Sequence, residues 1–517
     1  MTMQDKLDEL SRRRSASAQG GGEAAIERQH ARGKLTAHER INRLLDPGTF
    51  IELDPFVTHD VNEFGIAERK VPGDSVVTGY GKIDGRTVFV YAFDFTVLGG
   101  TMSLVASKKT MKVQDLALKT GSPIIGIMDS GGARIQEGVD SLWGVGQIFQ
   151  RNVLSSGVIP QISLIMGPAA GAAVYSPALT DFIIMEKGVG QMYITGPDVI
   201  RTVTGEEVTH EQLGGADAHT TLSGVAHFGT EGEEESLDLA RDLLSFLPSN
   251  NLEEPTVSDT GDNPNRLTPE LIDLVPDDPN QPYDMRDFID SIVDIGGGFL
   301  EVHQAWAQNI IVGFGRFNGK TTGIIGQQPM VMSGALDIKA AIKAARFVRF
   351  CDCFNIPLVT LTDVPGYLPG VDQEHNGIIT HGAKLLYAYT EATVPKIGVV
   401  TRKAYGGALI VMSSQMLRGD INYAWPAAEM AVMGSEGAAN IIFRNRIRES
   451  EDSEMERKLA TQEYQDQFAN PYVTASKGYI EDIIDPADTR KMIISALSML
   501  ENKTDSVPSK KHGNIPL

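Results

Sequence analysis

The sequence is poor in cysteine and in basic residues. Its 517 residues include 2 Cys and 46 Lys or Arg against 67 Asp or Glu, which gives a formal net charge of −21. Two cysteines exclude a disulfide scaffold and a four-thiolate zinc site. The acidic balance argues against binding to duplex DNA, because phosphate recognition needs a basic face.

Hydrophobic segments of the kind that direct secretion or cross a membrane are also missing. The first fourteen residues are charged throughout, without the apolar core of a signal peptide. Residues 152–180 carry no charge, but Gly157, Pro160, Gly167, Pro168 and Gly171 interrupt them. Because lipid cannot satisfy the backbone groups that such residues free, we interpret this stretch as a buried strand, a loop and a helix start. We therefore expect a soluble, cytoplasmic protein without a membrane partner.

The chain contains an internal duplication. Four short segments recur in the same order at offsets of 234 or 235 residues. They are Gly81–Arg86 with Gly315–Lys320, Pro123–Asp129 with Pro357–Asp363, Ile159–Ile165 with Val394–Val400, and Gly171–Ala173 with Gly406–Ala408. The two halves should share one fold, and the Pro-, Asn- and Asp-rich residues 248–282 lie between them. We place the domains at residues 1–255 and 256–517.

Each half has the pattern of an α/β domain. Asp84-Gly85 and Asn318-Gly319 predict tight hairpin turns between strands. Residues 104–120 and 337–350 predict helices, and each is followed by a short apolar strand that ends in an aspartate, Asp129 or Asp363. Alternating strands and helices indicate an α/β fold.

The side chains that usually carry chemistry are absent from recognisable motifs. The segment Gly315–Thr321 resembles a phosphate loop but has one residue too few between its glycines. We therefore predict no ATP site. Ser130 has no assignable histidine base. The histidines show no metal-ligand spacing, so we predict no metal site. Asp129 and Asp363 could cap the turns that follow them or could act in the reaction.

What remains is a pair of Gly/Ala-rich turns after strands in each half. They are Ser130–Ala133 and Gly167–Ala172 in the first half, and Val364–Gly366 and Tyr405–Ala408 in the second. Small residues expose backbone N–H groups, and a helix start adds its positive end. Two converging N–H groups form an oxyanion hole, so the duplicated turns predict two such holes.

These turns lie in longer motifs that resemble the biotin-dependent acyl-CoA carboxyltransferases. The resemblance is closest to the β subunits of propionyl-CoA and acetyl-CoA carboxylases and extends from about Gly20 to the C-terminus. The resembling segments are Asp129–Gly138, Gly167–Asp181 and Thr195–Ile200 in the first half, and Asp363–Gly370, His381–Ala388, Arg402–Ala408 and Ala431–Gly434 in the second.

The resemblance implies two tandem crotonase-like domains of the β-β-α superhelix type. It implies that the N-terminal domain holds the acyl-CoA and the C-terminal domain holds carboxybiotin. It also implies a ring-shaped homo-hexamer of this subunit within an α6β6 complex, with each site formed where the N domain of one chain meets the C domain of another.

The family's chemistry explains why no catalytic side chain is visible. Carboxybiotin loses CO₂, and the ureido anion that remains takes the α-proton of the acyl-CoA, while the protein positions and stabilises. The implied donors to the thioester enolate oxygen are Gly131, Gly132, Gly171 and Ala172. Those to the biotin ureido oxygen are Val364, Gly366, Gly407 and Ala408. Which amide of each turn donates stays open.

Biotin would be carried on a domain of another chain, because this chain has no Ala-Met-Lys-Met attachment segment. A biotin carboxylase, with ATP and Mg²⁺ on that partner, would charge it. The family's Cys-Ala-Gly-Gly turn ends here in Ala172, which narrows the approach to its amide. Leu409 and Ile410 replace the Tyr and Asp of propionyl-specific members. We therefore expect a short-chain acyl-CoA, with acetyl-CoA and propionyl-CoA both open.

Three alternatives differ in direction or class. The chain could be the carboxyltransferase subunit of a methylmalonyl-CoA decarboxylase or of a transcarboxylase, which share fold and half-reaction. It could be a hydrolase on the same fold, which would need Ser, His and Asp in contact. It could also be a non-catalytic scaffold of a complex.

Overall fold

The computed structural model describes residues 2–517, which form two compact units. The first ends at Glu253 and the second begins at Glu254. This division falls inside the segment rich in Pro, Asn and Asp, two residues from the boundary drawn from the sequence.

The first unit has nine α-helices and eight strands among its described residues, 2–253. In chain order they are α1 (Met3–Ala18), α2 (Glu23–His30), α3 (Ala37–Leu44), β1 (Ile51–Leu53), β2 (Val76–Ile83), β3 (Arg86–Phe93), α4 (Leu104–Thr120), β4 (Ile124–Ser130), α5 (Val139–Ser155), β5 (Gln161–Ala170), α6 (Tyr175–Ala178), β6 (Phe182–Glu186), β7 (Gln191–Tyr193), α7 (Pro197–Thr204), α8 (His210–Gly214), β8 (Phe228–Thr230) and α9 (Glu233–Phe246).

The second unit follows the same plan and adds helices near its C-terminus. Its elements are α10 (Leu271–Leu274), α11 (Met285–Ile292), β9 (Leu300–Val302), β10 (Ile310–Phe317), β11 (Lys320–Gln327), α12 (Ile338–Cys353), β12 (Leu358–Val364), α13 (Val371–His375), α14 (Ile378–Glu391), β13 (Lys396–Tyr405), α15 (Gly406–Val411), β14 (Ile421–Ala424), β15 (Glu429–Ala431), α16 (Ser435–Ile442), α17 (Arg444–Glu449), α18 (Ser453–Gln467), α19 (Pro471–Ser476), β16 (Asp482–Ile483) and α20 (Thr489–Met499).

The two sheets have the same topology. The first has the order β1-β2-β3-β4-β5-β6-β8 with β7 beside β5, and the second has the order β9-β10-β11-β12-β13-β14-β16 with β15 beside β13. The first two pairings of each sheet are antiparallel and the others are parallel. The duplication found in the sequence is therefore a duplication of fold, and the α/β prediction is confirmed.

Both predicted hairpins form. Asp84 and Gly85 have φ of 48° and 78°, and Asn318 and Gly319 have φ of 51° and 77°. Two consecutive residues in the left-handed region match the right-handed twist of the flanking strands, which is why Asp-Gly and Asn-Gly suit these turns. The phosphate-loop lookalike Gly315–Thr321 is the β10–β11 hairpin, paired at Phe317 and Lys320.

The parallel strands β4, β5, β12 and β13 carry the core, and their residues are almost all buried. The uncharged residues 152–180 cover the end of α5, all of β5 and the short helices Gly171–Val174 and α6, as the interpretation of a buried strand and a helix start predicted. No helix within residues 2–517 has both the length and the apolar character needed to cross a bilayer.

Candidate active site

The Gly/Ala turns of the first unit follow two adjacent parallel strands. β4 and β5 pair up to Ser130 and Ala169, so their carboxyl ends meet at one edge of the sheet. Gly132 has a φ of 95°, and a Cβ atom there would lie 2.7 Å from the carbonyl oxygen of Ala170. Glycine is required at this position because both the backbone conformation and the close approach exclude a side chain.

Two of the amides predicted as donors already have acceptors. The Gly131 N–H donates to the Gly99 carbonyl at 3.0 Å, and the Gly132 N–H donates to the Ser130 hydroxyl at 3.2 Å. The Gly131 bond is backbone to backbone and holds the turn against the short 3₁₀ helix Leu98–Gly100. The turn therefore uses its first two amides to keep its own shape.

The next amide, that of Ala133, has a different orientation. Ala133 forms a parallel bridge with Met102, in which Met102 N–H donates to Gly132 at 2.8 Å and Arg134 N–H donates to Met102 at 3.0 Å. The neighbours of Ala133 thus make both bonds, and the N–H of Ala133 itself points away from Met102. The sequence placed Ala133 in the turn but did not select it.

The second unit repeats this arrangement at Tyr367. Leu336 N–H donates to Gly366 at 3.0 Å and Leu368 N–H donates to Leu336 at 2.8 Å, so the amide of Tyr367 points away from Leu336. Val364, predicted as a donor, is fully buried in β12 and paired with Ala404. Gly366 has a φ of 140°, and a Cβ atom there would meet open space.

The second turn of each unit begins a helix on a left-handed glycine. Gly171 (φ 58°) starts the 3₁₀ helix Gly171–Val174, and Gly406 (φ 59°) starts α15. The first N–H groups of a helix have no acceptor inside it. Ala172 corresponds to Gly407, and the fully buried Ala173 corresponds to Ala408. The predicted pair Gly407 and Ala408 is thus one residue out of register with Gly171 and Ala172.

Buried cations neutralise the aspartates at the two strand ends. In the first unit Asp129 lies 2.6 Å from the Lys34 ammonium and 3.0 Å from the Arg40 guanidinium. In the second unit Asp363 lies 3.0 Å from Arg402, and Lys403 N–H donates to it at 3.2 Å. Both carboxylates are fully buried in ion pairs. Their hydrogen-bond donors are Gln29, Arg40, Arg402 and Lys403, none of which lies in the turn that follows either aspartate, so the turn-capping role left open by the sequence is not observed.

Comparison with known proteins identifies the family. Residues 28–515 match the carboxyl transferase domain. The carboxyltransferase subunit of propionyl-CoA carboxylase from Haloferax mediterranei is 56% identical over 517 residues, which cover 100% of both chains. The methylmalonyl-CoA decarboxylase subunit alpha of Veillonella parvula is 55% identical over 516 residues, again covering 100% of each. The crystal structure of transcarboxylase 12S, a hexamer with methylmalonyl-CoA bound, is 52% identical, with a TM-score of 0.97 over 100% of this chain and 99% of that one.

The chain belongs to the carboxyl transferase family. The predicted relationship and the tandem crotonase-like fold are therefore confirmed, and the chain is a carboxyltransferase subunit, an enzyme component.

Within this carboxyltransferase, Leu409 and Ile410, which the resemblance singles out, differ in burial. Leu409 is partly buried and packs against a cluster that includes Val400, Ala404 and Met430. Ile410 is 38% exposed on the other side of α15, one turn after Gly407. Of these two side chains, Ile410 is therefore the more exposed to solvent.

The aromatic ring of Tyr367 connects three parts of the second unit. Cβ atoms on Gly382 and Gly407 would lie 3.0 Å and 4.0 Å from this ring. Gly382, in the motif His381–Ala388, therefore gives the ring its place beside α14. Burial raises the pKa of the Tyr367 phenol to about 12, so it stays protonated, and its hydroxyl has no hydrogen-bond partner. Nothing in the sequence marks Tyr367 beyond its place in the motif Asp363–Gly370.

The contacts of Ser130 do not support a nucleophile. Its hydroxyl accepts the Gly132 N–H, and no hydrogen bond joins it to a histidine within the described residues 2–517. Over the same residues, no three His, Cys, Asp or Glu side chains lie close enough to hold a metal ion.

Proposed function

We propose that this chain transfers a carboxyl group from carboxybiotin to the α-carbon of a short-chain acyl-CoA, propionyl-CoA, acetyl-CoA or both. The observation that carries the proposal is the repeated pair of turns with outward amides at the ends of β4 and β5 and of β12 and β13. The first unit would hold the thioester and the second would hold biotin.

We propose a smaller set of amide donors than the resemblance implies. Ala133 with Gly171 and Ala172 would stabilise the oxygen of the thioester enolate, and Tyr367 with Gly406 and Gly407 would stabilise the ureido oxygen of biotin. The Gly132 N–H would become a further donor to the enolate oxygen if its hydrogen bond to the Ser130 hydroxyl opened. Gly131, Val364 and Ala408 are poorer candidates, because the first amide is already bonded and the other two residues are fully buried. Each donor aimed at the developing charge typically contributes about 3 kcal/mol to lowering the barrier.

The donor set fits the two groups chemically. The carbonyl oxygens of a thioester and of a ureido group accept hydrogen bonds and cannot donate them. Both pairs of turns offer peptide N–H donors beside small residues, which leave room for such an oxygen to approach. Biotin supplies the carboxyl group and the base that takes the α-proton, so the protein needs no catalytic histidine. The residues of the chain bind, orient and stabilise negative charge on oxygen.

The acyl group would lie near Ile410. The Ile410 side chain is aliphatic and carries no charge. We therefore expect the site to accept both acetyl-CoA and propionyl-CoA. The relatives fit this range, since the carboxyltransferase subunit of Haloferax mediterranei is named for propionyl-CoA, and a beta5 subunit of Mycobacterium tuberculosis, 54% identical, is named for both acetyl- and propionyl-coenzyme A.

Carboxyl transfer in the opposite direction is the second candidate. It is favoured by the 55% identity to the decarboxylase subunit of Veillonella parvula and by the similarity to transcarboxylase 12S. The direction of carboxyl transfer depends on which reactions supply and consume the carboxyl group. The same turns can therefore serve transfer in both directions.

We further propose a homo-hexamer that works with a biotin carboxylase and a biotin carboxyl carrier on other chains. ATP and Mg²⁺ would act on that partner. The hexameric assembly of transcarboxylase 12S supports the first part.

The half-reaction tests the function without any partner. The purified full-length chain should decarboxylate methylmalonyl-CoA or malonyl-CoA at a rate that rises with added free biotin, and saturates. Desthiobiotin, which keeps the ureido ring but lacks the thioether ring, and a biotin analogue without the ureido carbonyl serve as controls. Turnover that is independent of biotin, or absent with both thioesters, would refute the proposal.

A further inference from the structure

The two units neutralise their equivalent aspartates from different parts of the chain. Asp129 and Asp363 are equivalent at an offset of 234, and β5 and β13 align at an offset of 235. By that alignment Arg402 of β13 corresponds to Gly167 of β5. The repeat therefore places an arginine in the second unit where the first unit has no side chain.

In the second unit the cation comes from the neighbouring strand. Arg402 lies on β13, beside β12, whose next-to-last residue is Asp363. The Arg402 Nε donates to Asp363 Oδ2 at 3.0 Å. Its guanidinium also donates to the carbonyls of Asp278 and Gln281. In the second unit the cation that pairs with the aspartate is therefore a residue of the sheet itself.

In the first unit, Lys34, a residue outside the sheet, places its ammonium group in the space beside Gly167. A Cβ atom on Gly167 would lie 2.0 Å from Asp129 Oδ1 and 2.8 Å from the Lys34 ammonium. Lys34 precedes α3 and Arg40 lies within it, and both side chains are buried. Gln29, at the end of α2, adds a hydrogen bond of 3.2 Å to Asp129.

Arg40 also joins the ends of both strands. Its guanidinium donates to Asp129 of β4 at 3.0 Å, to the Met166 carbonyl of β5 at 3.1 Å, and to Glu233 at the start of α9 at 2.5 Å. Asp129 is four residues before Ala133, and Gly167 is four residues before Gly171. The group that fixes the two strand ends therefore also fixes the spacing between the two turns.

We propose that Lys34 and Arg40 are positioning residues for the acyl-CoA half of the reaction. The segment from Gln29 to Arg40 supplies the cations that the second unit carries within its own sheet, and holds Asp129 so that the amides of Ala133 and Ala172 face one oxygen. This inference rests on the proposed function and deepens it, because it assigns the segment to one substrate only.

The test uses the full-length chain in the biotin-dependent decarboxylation of methylmalonyl-CoA. Lys34→Met removes a cation and Lys34→Arg keeps it. Gly167→Ala places a methyl group against Asp129 and the Lys34 ammonium without changing any charge. Lys112→Met is the matched control, because Lys112 makes an ion pair of equal length, 2.6 Å to Asp54, on the exposed surface of the same unit. Thermal unfolding is measured for every variant, and rates are taken well below each transition.

We expect Lys34→Met and Gly167→Ala to lower kcat by about 10- to 100-fold, since a displaced donor loses much of its effect. The KM for free biotin should not change, Lys34→Arg should recover most of kcat, and Lys112→Met should match the wild type. Variants that only unfold at lower temperature while keeping kcat would overturn the inference, as would an equal rise in the KM for biotin. A wild-type chain without biotin-dependent turnover would instead refute the proposed function.

Discussion

Lys109 and Lys343 lie 234 positions apart and hold equivalent loops by the same contact. The Lys109 ammonium donates to the carbonyls of Gly73 and Val76 at 2.8 and 2.6 Å. The Lys343 ammonium donates to four carbonyls, those of His303, Trp306, Ala307 and Ile310. Burial lowers the pKa of Lys109 to about 8 and that of Lys343 to about 7. The duplication has thus kept a buried ammonium that closes the loop before the central hairpin.

Lys109→Met should lower the free energy of unfolding by about 2–4 kcal/mol, because it leaves buried carbonyls without a donor. Lys108→Met, one residue earlier on the exposed face of α4, should change it by no more than about 0.5 kcal/mol. Urea unfolding of both variants gives the comparison. Equal effects would show that the Lys109 contacts contribute nothing to stability.

Glu186 should make stability fall as the pH rises. Burial, and then the nearby Glu233, raise its pKa to about 7. The folded chain therefore binds more protons than the unfolded chain between about pH 4.5 and 7, and stability is lost as the pH rises through that range. Glu186→Gln removes this loss, so the variant should be more stable than the wild type at pH 8 and gain less at pH 5.

Urea unfolding at the two pH values measures the difference. Glu231→Gln is the control, since its side chain is 74% exposed and bonded only to a surface lysine, Lys187. A gain for Glu186→Gln that is the same at pH 5 and pH 8 would show that Glu186 does not titrate in this range.

Ile410→Asp should shift acyl preference toward propionyl-CoA, restoring the residue of propionyl-specific members. We expect the ratio of kcat/KM for propionyl-CoA over acetyl-CoA to rise about tenfold, within the range that one pocket contact supplies. The assay is carboxylation by the complex reconstituted with its biotin-charging partner. Leu409→Ala, which truncates the inward-facing neighbour, should lower stability and leave the ratio unchanged. If Ile410→Asp leaves the ratio unchanged too, Ile410 is not a pocket wall.

The parts of the fold that depend on local pattern could be predicted. The hairpins at Asp84-Gly85 and Asn318-Gly319 need consecutive left-handed residues, and the sequence shows residues that tolerate them. The helices Leu104–Thr120 and Ile338–Cys353 were predicted to within three residues at their ends. The offset of 235 also pairs Gly406 with Gly171, so the repeat itself suggests Gly406 with Gly407 as the counterparts of Gly171 with Ala172.

Other features depend on contacts that leave no local trace. Asp129 contacts Arg40, which is 89 residues away in the chain, and the residues around neither of them predict this ion pair. Three acidic residues open α9, where they suit the helix dipole, yet one of them, Glu233, is buried against Arg40. The Gly131 N–H is taken by the Gly99 carbonyl, and the Ala133 N–H is turned outward by the bridge to Met102. Only three-dimensional structure reveals these two contacts.

The central claim is that peptide amides, one set for each substrate, stabilise the reaction. Ala133→Pro tests it most directly, because proline deletes one N–H and the bonds of the Met102 bridge are made by other residues. Ala133→Gly keeps the N–H and is the control, and circular dichroism establishes that both variants fold. The account predicts that Ala133→Pro lowers kcat for biotin-dependent decarboxylation of methylmalonyl-CoA by about 100-fold or more, with the KM for biotin unchanged and the Gly variant near wild type. A folded Ala133→Pro variant with wild-type kcat would contradict it.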